Sequence, residues 1–159
     1  VSGLSWFIKR IVWRLFILCS FQTIAADNPL KINPDRAKFN YQMLCQGCHT
    51  PDGTGGKSVP KIKDFIGYFL QKEIAREYLV KVPGSANSSL NDAQLAEVLN
   101  WMIIEFGGES VPKNRQYFTT NEVATLREQP LFEVVEYRKM LIKQLTLSNR
   151  TVDETSDQK

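Results

Sequence analysis

Two cysteines and a histidine within five consecutive residues, Cys45-Gln46-Gly47-Cys48-His49, are the part of this chain whose types and spacing can do chemistry. On a helical turn, thiols three positions apart share one side, roughly 5–6 Å apart at Cβ, and both can add to the vinyl groups along one porphyrin edge. His49 then sits beneath the ring. Its neutral imidazole nitrogen can take an axial place on iron while two thioethers keep the ring from leaving, and this spacing reads as c-type haem attachment. The site expectations are therefore Cys45 and Cys48 as covalent holders of one haem c and His49 as proximal iron ligand.

Three other chemistries use the same residues. A redox-active thiol pair needs a strand-helix-strand setting, whereas the flanks read as helix and Gly-rich loop. A structural zinc site needs a fourth nitrogen or sulfur ligand, but His49 is the only histidine and Cys19 the only cysteine outside the motif. A Cys45–Cys48 disulfide would close a very short loop and stabilise little.

The elements around the motif follow from periodicity and punctuation. Asn33 can cap a helix with Pro34 at its first position, running to about Cys48, with Ala37, Tyr41, Leu44 and Cys48 facing inward and Tyr41 packing where terminal helices cross. Thr50 to Pro60 is a loop whose glycines let backbone approach a haem edge. The Pro60 carbonyl is free to accept a hydrogen bond from the far nitrogen of His49, fixing the ring and raising its basicity. Lys57, Lys61 and Lys63 are a solvated surface or a docking patch around an exposed haem edge.

Glu73 to Lys81 reads as a helix in which Glu73 and Glu77 pair with Arg76 and Lys81, and Val82 to Asn87 as a loop. In the next helix Asn91 is the cap and Gln94 completes a capping box. Leu95, Val98, Leu99, Met102, Ile103 and Phe106 form its core stripe, and Gly107-Gly108 ends it. Beyond lies an extension: Asn114 to Thr119 irregular, a short helix capped by Thr120 through Arg127, and a longer one from Pro130 to about Leu145. Leu131, Val134, Val135, Tyr137, Leu141, Ile142 and Leu145 give that helix an apolar face to cover its own domain or a partner subunit.

Length and composition fit one compact domain with appendages: 159 residues, 43% hydrophobic. The formal charge of +3 comes from Lys9, Arg10 and Arg14, which precede the first acidic residue, Asp27. Without them the charges balance, so composition gives no case for nucleic-acid binding. Those cations, the apolar run Leu15 to Phe21, and Ala25-Ala26 have the layout of an export signal. The run is too short to span a bilayer, although a retained leader would act as an anchor. The expected organisation is an export signal over 1–26, a haem domain over 27–108, a helical extension over 109–147 and a polar, disordered tail over 148–159.

With these elements in place, the order helix, Cys45-x-x-Cys48-His49, Gly-rich loop, Pro60-x-Ile62, middle helix, loop, and terminal helix introduced by Ser89-Leu90-Asn91-Asp92 resembles the mono-haem class I cytochrome c family over roughly residues 35 to 106. The resemblance implies an all-α fold, one haem c and one-electron transfer between redox partners such as a dehydrogenase, an oxidase or a membrane complex. It implies a periplasmic protein, membrane-associated if the leader is retained. Carried over, Cys45 and Cys48 bind haem, His49 is the proximal ligand and Pro60 its hydrogen-bonding partner.

The chain departs from the family on the distal side. Family members usually supply a methionine just ahead of a proline, and here that place is Val82-Pro83. Met43, Met102 and Met140 fit poorly as replacements. Met140 would serve only if the extension folded over the haem, and Lys61, Lys63 and Asn87 are other conceivable donors. An iron without its methionine tends to bind small ligands and to sit at lower potential. Two functions follow: an exported electron carrier that is not an enzyme, or a haem protein that binds small ligands at an open or weak distal site. A cytochrome subunit held in a larger redox complex by its C-terminal helices is compatible with the first. The absence of a distal histidine to move a proton argues against more than weak peroxidase chemistry.

Overall fold

A computed structural model describes residues 31–56 and 59–156, with side chains as far as 146. The expected leader and Lys57 therefore lie outside the described residues. The fold is all-α, and no strand occurs among the described residues, only an isolated bridge between Gly56 and Val59.

Helix α1, Pro34–Leu44, starts as its sequence requires. The Asn33 side chain accepts from the Arg36 N–H, and Pro34 occupies the first turn, where a missing N–H costs nothing. It breaks at Cys45, and a single turn, α2, Gln46–His49, follows. Ala37 and Tyr41 are buried as expected, but Leu44 is 46% exposed and Cys48 is exposed too, because the chain turns before that face meets a neighbour. Tyr41 packs its ring 5.3 Å from Trp101 and 5.2 Å from Phe106, which is the crossing of terminal helices.

After the loop comes a 3-10 helix, Ile66–Gln71, then α3, Glu73–Lys81. A Cβ on Gly67 would lie 2.5 Å from Ser110, so only glycine lets these segments touch, and the Gly67 N–H donates to Ser110 Oγ at 3.0 Å. Lys81 pairs with Glu77 at 2.6 Å. Arg76 does not use Glu73 or Glu77; it reaches Glu122 at 2.6 Å, a fork-to-carboxylate pair that no local spacing could announce. The segment expected to be a loop over Val82 to Asn87 contains a helical turn, α4, Pro83–Ala86, because Pro83 is preset for a first helical position.

Helix α5, Asp92–Phe106, carries the full Asn91–Gln94 capping box. Every residue of its expected stripe is buried, and so are Glu97, Asn100 and Trp101, because α1 covers one side and the extension another. Glu97 is reached by Arg36 at 2.7 Å and by the Asn33 N–H at 2.8 Å. Buried Asn100 clasps Phe118, donating to its carbonyl at 2.9 Å and accepting from its N–H at 2.7 Å.

The extension folds onto the domain. Helix α6, Thr120–Arg127, is capped by Thr119, one residue earlier than expected, since Thr119 Oγ1 faces the Glu122 N–H while Glu122 reaches back. Helix α7 spans Val134–Ser156: it starts four residues after Pro130 and continues past Leu145 into the polar tail. Its buried Leu141 and Leu145, with half-buried Leu131, Val134 and Tyr137, pack against Phe69, Ala75 and Tyr78. That part of the apolar face covers its own chain, while Val135, expected on the same face, is 65% exposed.

Candidate functional site

His49 ends α2, and the backbone beyond it is tied down from several directions. Thr50 takes φ +65°, in the left-handed region that a β-branched residue rarely enters, and its carbonyl accepts from Tyr41 Oη at 2.6 Å. Burial pushes the Tyr41 phenol up to about 12, which keeps it protonated and donating. The Gly55 N–H donates to the His49 carbonyl at 3.1 Å. Thr50 Oγ1 and Thr54 Oγ1 each lie 2.8 Å from Asp52 Oδ1, and those hydrogen bonds hold the carboxyl at about 2.

The glycines of this loop serve the loop itself before any ligand. Gly55 has φ +76°, and a Cβ there would meet the Val59 carbonyl at 2.5 Å and Pro60 at 2.9 Å. That close approach carries Pro60 back toward His49. Nδ1 of His49 is buried, and no group meets it at full hydrogen-bonding geometry. Burial lowers the imidazole pKa, while the Pro60 carbonyl lies close enough to oppose that shift. The ring is therefore neutral near pH 7, the form that ligates iron.

Cys48 and His49 open onto a cavity of about 770 Å³, within the usual range for small-molecule and cofactor sites. Pro60 and Ile62 continue the wall that holds His49, and Leu99 and Met102 of α5 contribute from the core. A further wall is built by Phe65, Phe69, Tyr78, Leu79 and Val82, together with Val134, Val135, Arg138 and Lys139 of α7. The lining is predominantly apolar.

Of the residues expected at the site, Cys48, His49, Pro60 and Lys61 line this cavity. Cys45 does not line it; it is half-buried against the core, and burial followed by the neighbouring Cys48 charge pushes its thiol up to about 11. Cys45 and Cys48 form no disulfide. Lys63 is exposed, and so is Asn87, outside the lining. The methionines divide clearly. Met43 is 65% exposed and Met102 is buried in the α5 stripe at the cavity floor. Met140 belongs to a helix that does reach the cavity, but its side chain is not in the lining, and its sulfur lies 3.0 Å from Gln144 Nε2. The place expected to carry a methionine, Val82, lines the cavity with two methyl groups.

Sequence reasoning missed Tyr78, Arg138 and Lys139 as cavity residues. The only available signal was the apolar face of α7, which had to cover something, and it does not say which polar neighbours arrive with it.

These residues fit a haem. A flat apolar ring needs an apolar slot, a neutral imidazole in its wall and two thiols three positions apart; the slot, His49 and Cys48 are in place, with Cys45 on the neighbouring turn outside the lining, and the buried, unpartnered Nδ1 lies where a carbonyl already favours its proton. No family model and no solved structure matches the chain. Two curated proteins do, both of them cytochrome c-552 of Thermus thermophilus, the second from a designated strain of that organism. Each is 31% identical over 128 residues, which cover 67% of this chain and 96% and 85% of the respective relatives. A match of that extent, on a helical chain whose histidine and second cysteine share one apolar cavity, places the chain in the cytochrome c family.

Proposed function

We propose that the chain is an exported, mono-haem class I cytochrome c that carries single electrons between a dehydrogenase or membrane complex and an acceptor. The observation that carries this reading is that Cys48 and His49 open onto the same predominantly apolar cavity of about 770 Å³. Bound there, a haem supplies a one-electron iron couple. Cys45 and Cys48 would hold the ring, His49 would offer its neutral nitrogen to the metal, and Pro60 would limit rotation of that imidazole. Phe65, Phe69, Leu79 and Val134 keep water from the slot. Lys61, partly offset by Asp64 at 3.9 Å, and exposed Lys63 would meet acidic redox partners. Export rests on the leader. No described helix is long and apolar enough to cross a membrane.

A second reading has its own support. Val82 stands where a methionine is expected, and Met140 is turned to Gln144. A site without a thioether on that side favours binding of small ligands, and the carrier and the ligand binder then differ in how firmly that side is closed.

The exported protein is to be denatured and extracted with acidified organic solvent. Red colour that stays with the polypeptide, and is lost from Cys45→Ser and Cys48→Ser together, supports covalent attachment at the motif; colour that leaves the wild-type chain overturns the assignment. Carbon monoxide difference spectra then separate the readings, since a carrier with both axial places filled responds little.

A further inference from the structure

The cavity wall built by α3, α7 and the 3-10 helix carries more polar chemistry than a slot for an apolar ring requires. Among the described residues three lining side chains are cationic, Lys61, Arg138 and Lys139, and no carboxylate lines the cavity. Two of these cations face an anion already: Lys61 has Asp64 at 3.9 Å and Lys139 has Glu136 at 2.7 Å. Arg138 forms no ion pair among the described residues. Its guanidinium carbon lies 5.4 Å from the Phe65 ring centroid and 5.9 Å from that of Phe69, contacts that position the group without using its N–H donors.

Tyr78 stands in the same wall. Its ring is buried between Phe69, at 5.4 Å, and Tyr137, at 6.2 Å, both stacked. Its hydroxyl has no hydrogen-bond partner among the described residues. Arg138 and Tyr78 both pack on Phe69 in the same wall; burial raises the phenol pKa while the Arg138 charge opposes the shift, so the hydroxyl keeps its proton near pH 7. A guanidinium without a counter-ion and a protonated phenol both donate. Together they satisfy an acceptor that carries negative charge.

We propose that Arg138 and Tyr78 form an anion subsite in this cavity, in which a small monoanion is held by the guanidinium and the phenolic hydroxyl. The inference rests on the second reading above, a haem protein that binds small ligands, and adds the ligand class: anionic ligands are favoured over neutral ones of the same size. The same chemistry could come from a carboxylate of the porphyrin itself, and the test separates these sources.

Haem content is measured first, and the ferric holoprotein is then titrated with sodium azide at low and high ionic strength, with carbon monoxide binding to the ferrous form as the neutral control. Arg138→Gln is expected to weaken azide binding about tenfold and Tyr78→Phe about threefold, with carbon monoxide affinity within about twofold of wild type; Arg138→Lys, which keeps the charge, should fall between. High salt should weaken azide binding to wild type more than to Arg138→Gln. Azide affinity that is unchanged in both variants, or a loaded protein that binds carbon monoxide but no azide, overturns the subsite, and a loaded protein that binds neither overturns the ligand-binding reading and the subsite with it. A changed reduction potential in Arg138→Gln with unchanged azide affinity assigns the guanidinium to a porphyrin carboxylate and likewise overturns it. A chain without haem defeats the preceding reading and takes this one with it.

Discussion

Removing the Arg127 side chain should cost the protein more than any other single surface-to-core truncation in the extension. Arg127 ends α6 and turns its guanidinium into the bend between α4 and α5. Nη2 donates to the Ser88 carbonyl at 2.8 Å and the Ala86 carbonyl at 3.0 Å, Nε donates to the Ala86 carbonyl at 3.1 Å, and Nη1 donates to the Leu90 carbonyl at 2.8 Å and to Asp92 Oδ1 at 3.0 Å. Hydrogen bonds to a charged group contribute about 1.5–3 kcal/mol each when isolated. The five are not additive, because one guanidinium serves them all and its side chain is 17% exposed, so water recovers part of the loss. A net cost of about 2–4 kcal/mol for Arg127→Ala follows. The Asp92 arm is the smaller part. Its side chain is 40% exposed, and Asp92→Asn should cost under about 1 kcal/mol. Urea denaturation of the loaded protein, followed by tryptophan fluorescence, measures both. Arg127→Lys should recover little, since a single ammonium cannot reach three carbonyls at once. A loss below about 1 kcal/mol for Arg127→Ala, or an equal loss for Asp92→Asn, would refute the idea that the fork of carbonyl contacts, rather than the ion pair, holds this bend.

Glu97 links stability to acid. Burial works to raise its pKa, but hydrogen bonds from Arg36 and the Asn33 N–H, with the Arg36 charge, overcome that and leave it lowered. The group therefore stabilises the fold above the ordinary glutamate range, and the contribution is lost as pH falls through the lower folded value; urea midpoints measured between about pH 6 and pH 3 should decline less in Glu97→Gln than in wild type. Val82→Met would place a thioether in the cavity wall at the family's usual position. It should suppress carbon monoxide binding, raise the reduction potential and introduce the weak far-red band of methionine ligation in the oxidised protein; unchanged spectra would show that the α3–α4 junction does not bring residue 82 over the iron.

The near half of the site was legible because it is local. Asn33, Pro34, the Cys45–His49 motif and Pro60 sit within one stretch, and capping, periodicity and the fixed φ of proline determine such a stretch without help from distant residues. The α5 capping box was legible for the same reason. Leu44 misled because helical spacing assumes the helix continues, and the break at Cys45 ends α1 before that face finds a neighbour. Arg76 misled because spacing offers i±3 and i±4 partners while Glu122, 46 residues away, offers a two-pronged one. Arg127, Asn100 and Arg138 were silent in the sequence. Each acts across 18 or more residues on a backbone or ring that no local pattern identifies.

The far wall of the cavity is held from the side of the extension. The Leu131 N–H donates to the Lys81 carbonyl at 2.8 Å, and Arg127 grips residues 86 to 92, so the extension fixes both flanks of α4. Leu141 and Leu145 press α7 onto Phe69 and Tyr78 from behind. Val82 packs on the edge of that cluster, so the position of the wall rests on these shared contacts and not on one side chain. The apolar face of α7 is therefore the element on which the placing of this wall depends.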